Sequence, residues 1–126
     1  MTWTADPLER RRTERDHLLA RARAHVERLS ARMPLSAAVV AGSVARGDFN
    51  LWSDVDVVVV SDALPAPGDE RAELLARDAE PGLEVHGYTG AEFARALERG
   101  DRLVLEAAEL GVVLAGRLPA GEQSGT

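Results

Sequence analysis

An α/β fold, with a small mixed β-sheet flanked by helices, is predicted by three features of the sequence. The apolar patterning alternates between helical and strand periods, in the order α-β-α-β-α-β-α-α with a short apolar piece at the end. Val55 to Val60 is β-branched at every position but Asp56, the composition of a central strand. The 126 residues show neither an internal repeat nor a linker, so residues 1–126 are expected to form a single domain.

The elements follow in order. From Pro7 to about Met33, Leu8, Leu18, Leu19, Ala22, Val26, Leu29 and Met33 fall at three-and-four spacing, which predicts one amphipathic N-terminal helix over residues 1–34, ended by Pro34. Ala37 to Ala41 is a short apolar run closed by Gly42-Ser43, read as a buried strand and a tight turn, with a short helix opening at 44–48. A loop follows at Leu64-Pro-Ala-Pro-Gly. Residues 69–79 have helical composition, with Leu74 and Leu75 facing inward. Leu83 to Tyr88 suits a third strand. Thr89-Gly-Ala-Glu92 has the form of a capping box for a helix to about Leu97, and Asp101 starts another through about Glu109. GVVLAG at 111–116 is a final strand, and 117–126 is expected to be a flexible tail.

Composition narrows the function classes. There is no cysteine, so disulfides and thiolate metal sites are excluded, and any metal must be held by oxygen or by His17, His25 or His86. The net charge of −6 is uneven: residues 1–33 carry eight arginines against five acids, the remainder seven against sixteen. An acidic main body argues against a long nucleic acid as partner, and the N-terminal arginines are expected on a solvated helix face. No apolar run approaches the roughly 20 residues that span a bilayer. The first residues are charged where a signal peptide would be greasy, so no membrane partner and a cytoplasmic location are expected.

The segment that carries chemistry runs from Gly42 to Asp56. Asp54 and Asp56, at the mouth of the central strand, are one residue apart, so period two places both on one face about 6–7 Å apart at Cα. Two carboxylates that close repel each other unless a cation lies between them, and Mg²⁺ takes hard oxygen ligands of this kind together with phosphate oxygens. Gly42 permits backbone conformations other residues resist and lets a ligand approach closely. Ser43 adds a hydroxyl for a phosphate oxygen. Arg46 either adds a charged fork for phosphate or pairs with Asp48 or a helix end. Ser53 either steadies the loop or touches phosphate, and Trp52 is expected to pack against the sheet. A phosphate cradle ten residues before a metal-binding Asp-x-Asp is what in-line nucleotidyl transfer requires. Chance would produce the joint pattern in a chain of this length on the order of once in a thousand.

Gly42-Ser43, ten residues, then Asp54-Val55-Asp56 resembles the signature of the DNA polymerase β-like nucleotidyltransferases, and among them the minimal, stand-alone (MNT) domains. Ala45-Arg46-Gly47-Asp48, Ser53-Asp54, the later EVHGYTGAEF and the closing GVVLAG extend the resemblance over most of a core at 36–116. The resemblance implies the polymerase β-like fold, Mg²⁺ as cofactor, ATP or another nucleoside triphosphate as donor, and transfer of a nucleoside monophosphate to a hydroxyl. It also implies a third carboxylate on a neighbouring strand. That place falls in Leu83-Glu84-Val85-His86, where Glu84, His86 and Tyr88 share one face. Glu84 is assigned as third metal ligand and general base, although aspartate is usual there; His86 is read as a half-buried strand histidine. Minimal domains of this group resemble the antitoxin half of a pair with a helical HEPN partner, which would supply the acceptor; a homo-oligomer is a further expectation. Two other classes compete: a non-catalytic partner-binding module that keeps the fold, and a small-molecule transferase of the aminoglycoside type.

Overall fold

The computed structural model describes residues 6–49 and 54–118. Its elements are α1 (Pro7–Ser30), β1 (Ala37–Ala41), α2 (Gly42–Arg46), β2 (Val55–Val60), α3 (Asp69–Ala76), β3 (Leu83–Tyr88), α4 (Gly90–Arg99), α5 (Arg102–Leu110) and β4 (Val112–Gly116). The four strands make one sheet in the order β3-β2-β1-β4. β2 and β3 run parallel, while β1 is antiparallel to both β2 and β4, so the sheet is mixed as the sequence predicts.

Period two sorts the central strands onto two faces. Ala38, Val40, Val55, Val57 and Val59 pack with Leu18, Ala22, Val26 and Leu29 of α1 and Leu75 of α3. Ala37, Val39, Ala41, Val58 and Val60 pack with Phe93 and Ala96 of α4 and Val104 and Ala107 of α5. β2 therefore has helices over both faces, which is why its valines run without alternation. The position that breaks the run, Asp56, faces the α5 side at the strand's opening end.

Helix boundaries depart from expectation in α1, in α3 and, at the site described below, in α2. α1 ends at Ser30 rather than near Met33, because the N–H of Arg32 turns to the Leu29 carbonyl and Pro34 disfavours helix at the residue before it. α3 ends at Ala76 rather than 79: Arg77 is extended and Asp78 takes φ +64°, a left-handed conformation that no helix continues through. Elsewhere the caps match. Thr89 and Glu92 form the reciprocal capping box, Gly100 closes α4 with φ +79°, and the Asp101 carboxylate accepts from the Val104 N–H at the start of α5. Arg117 donates its N–H to Ser36 and Leu118 packs on the second core cluster, so chain predicted as tail is held there; 119–126 lie outside the described residues. Among the described residues no helix is long and apolar enough to cross a membrane.

Candidate active site

β1 carries the chain to Ala41, and the next residue turns it. Gly42 has φ +71°, and a β-carbon there would collide with the Asp56 carboxylate on the adjacent strand. Only glycine satisfies both the dihedral and the space. α2 then opens directly at Gly42, two residues earlier than the predicted helix, with Ser43 half-buried in its first turn.

α2 is held from outside. Arg11 donates to the Gly47 carbonyl at 2.9 Å, and Arg15 donates to the Val44 and Ala45 carbonyls at 3.1 and 3.4 Å. These guanidinium groups bond and neutralise the open carbonyl end of a five-residue helix too short to stand alone. The Arg11 guanidinium also lies 4.0 Å from the centre of the Phe49 ring. Two of the α1 arginines expected on a solvated face thus brace the turn beside Asp56. The sequence reading missed this, because only the tertiary fold brings position 15 to position 44.

The acidic groups converge from β2 and β3. Asp54 is exposed just before β2, and Asp56 pairs in register with Glu84 across the parallel strands. The Glu84 carboxyl is held above the ordinary range, chiefly by the hydrogen bond it shares with Asp54, then by desolvation and by the negative charges of Asp56 and Asp54. His86 donates its Nε2–H to Asp56 Oδ1 at 3.0 Å and stands 3.8 Å from Glu84 Oε1. One donor atom from each of Asp56, Glu84 and His86 lies within 4.8 Å of the others. Among the described residues no arginine pairs with Asp54, Asp56 or Glu84. Crowded carboxylates with no paired arginine fit a divalent metal ion; Asp56, Glu84 and His86 could each offer it one donor atom, with Asp54 hydrogen-bonded to Glu84 beside them.

A cleft of about 450 Å³ opens over this group, lined by Gly42, Ser43, Arg46, Asp54, Asp56 and Glu84 and, from α5, by Arg102, Leu103 and Glu106. Its volume lies in the range of small-ligand sites. Six of the seven residues predicted for the site therefore share one cavity; the seventh, Ser53, lies outside the described residues, as does Trp52. Arg46 sits in the cleft but is already engaged. Its Nε donates to Asp48 at 3.2 Å and its Nη1 to Glu106 at 3.0 and 3.1 Å. Those acids, Asp48 first, raise the affinity of its guanidinium for its proton. The α5 wall was not predicted, since nothing in the local pattern of Arg102 to Glu106 marks it except an i,i+4 opposite-charge pair, here 3.6 Å apart.

A mixed sheet with a glycine-serine turn facing an Asp-x-Asp and a third acid is the arrangement that the nucleotidyltransferase resemblance implies. The comparisons agree on the class. Residues 22–103 match the model of the nucleotidyltransferase domain, a span that contains every described residue of the predicted site, and the chain belongs to that family. The fold is similar to a crystal structure of a candidate nucleotidyltransferase from Sulfolobus solfataricus, with a TM-score of 0.64 and 19% identity over 85% of this chain and 87% of that one. No curated protein matches the chain.

Proposed function

We propose that this nucleotidyltransferase-family chain moves a nucleoside monophosphate, in the first instance AMP from ATP, to a hydroxyl on a partner protein, with Mg²⁺ as cofactor. The observation that carries the reading is the single cleft in which Gly42 and Ser43 face Asp54, Asp56 and Glu84. Ser43 and the turn amides bind the triphosphate tail and align the α-phosphorus. Asp54 and Asp56, with Glu84, would hold the divalent cation. Glu84 takes the proton of the acceptor hydroxyl as its oxygen bonds to the α-phosphorus and pyrophosphate departs. A divalent cation held there would supply charge neutralisation on the phosphates and activation of the attacking oxygen.

The acceptor side supports a macromolecular partner. Glu84 stands on the sheet-edge strand β3 with about half its side chain exposed (54%), so the base faces open solvent rather than an enclosed acceptor pocket. A helical partner of the HEPN type, presenting a tyrosine hydroxyl, suits that geometry. Incubation with ATP labelled at the α-phosphate tests the proposal. Label is expected on the partner in the presence of Mg²⁺ and absent with Asp56→Asn. Transfer that persists undiminished in Asp56→Asn contradicts the site assignment.

A further inference from the structure

His86 is the group in the site for which the proposed reaction has no use. It lies two residues beyond Glu84 on the same face of β3, about two-thirds buried, with its Nε2 aimed at the carboxylate cluster. The two oxygens of Asp56 are divided: Oδ2 lies against Gly42 and Oδ1 against His86. The His86 Nε2 thus lies 3.0 Å from Asp56 Oδ1 and 3.8 Å from Glu84 Oε1, and one donor atom from each of the three residues is within 4.8 Å of the others, one nitrogen among oxygens.

We infer that His86 is itself a metal ligand, and that it turns an all-oxygen Mg²⁺ site into a mixed oxygen–nitrogen site that prefers a first-row divalent ion such as Mn²⁺ or Co²⁺. The inference rests on the proposed function only in taking Asp54, Asp56 and Glu84 as the metal-binding acids. Mg²⁺ is a hard ion that favours oxygen donors, whereas imidazole suits the first-row transition ions. Ligation requires the imidazole proton to sit on Nδ1, which leaves the Nε2 lone pair for the ion and replaces the Nε2–H···Oδ1 contact by a shared ion.

Pulsed electron paramagnetic resonance of the Mn²⁺-loaded chain reads this directly, because a coordinated imidazole imprints nitrogen modulation on the manganese echo. The expected result is nitrogen modulation in the wild type, lost in His86→Gln. Mn²⁺ affinity should fall by about tenfold or more in that variant while Mg²⁺ affinity changes less than about threefold. If the variant folds poorly, absence of nitrogen modulation in the Mn²⁺-loaded wild type still overturns the inference. Mn²⁺ that binds without nitrogen modulation, yet is lost in Asp54→Ala, Asp56→Ala, overturns the inference: His86 is then a positioning donor to Asp56, and the proposed function stands. Mn²⁺ binding that is absent, or indifferent to the two aspartates, overturns both.

Discussion

At position 42 the backbone takes φ +71°, and a carboxylate oxygen of Asp56 occupies the space a β-carbon would need. Alanine there costs on the order of 1–2 kcal/mol for the left-handed dihedral alone. It must also push Asp56 off its position beside Glu84 and His86. Gly42→Ala is therefore expected to leave the chain folded, by circular dichroism, while divalent-cation binding measured by titration falls by at least about tenfold. Retained metal affinity in a folded Gly42→Ala protein contradicts the role given to that close approach. Gly42, Ser43, Asp54 and Asp56 were legible in the sequence because their spacing is local: one turn and one strand end, ten residues apart. Glu84 needed the family resemblance. The placing of His86 against Asp56 depends on the parallel register of β2 and β3, which no local pattern encodes.

The elements around the site are tied by arginines, one of them buried, more than the composition suggests. Arg71 of α3, almost fully buried, donates to the Pro65 and Gly87 carbonyls and by two nitrogens to Glu92 of α4. Glu92 also accepts from the Thr89 N–H, so one carboxylate closes a helix cap and fixes α3 against β3 and α4. Its pKa is lowered from the ordinary glutamate value, first by the Arg71 hydrogen bond and then by the Thr89 amide, against an opposing contribution from burial. A depressed carboxylate stabilises the fold fully above the unfolded-state value near 4.5 and loses that contribution as pH falls through its own lower value. Arg71→Met is accordingly expected to destabilise the chain by about 3 kcal/mol at pH 7. The gap in urea midpoint between variant and wild type should narrow below pH 4.5, and a gap independent of pH contradicts the ion pair's part in it. The capping box was legible from Thr89 and Glu92 at their three-residue spacing. The Arg71 link was not, because it joins residues 21 apart on different elements, as the Arg15 brace joins 29.

At the scale of the molecule, a sheet with helices over both faces leaves one open end, and there Asp54, Asp56 and Glu84 gather with no arginine paired to them among the described residues. The metal-free chain stores that repulsion, and an ion that binds the folded state alone must raise stability by mass action. At about one hundred times its dissociation constant, a divalent cation is expected to add about 2.7 kcal/mol, a rise in melting temperature of roughly 10 °C for a chain of this length. The rise should vanish in Asp54→Ala, Asp56→Ala, and an equal rise in that variant would place the ion elsewhere. The fold class and the order of elements along the chain follow from local patterning, whereas the strand order in the sheet and the α5 wall of the cleft, with Arg46 held by Glu106, are products of packing. The most direct test of the central claim, that Gly42, Ser43 and the clustered acids form one nucleotide site, is calorimetric titration of ATP into the chain with and without Mg²⁺, in wild type and in Asp54→Ala, Asp56→Ala. Binding that requires the cation and disappears in the double variant is the predicted result; ATP binding of equal strength in both proteins, or in neither, contradicts it.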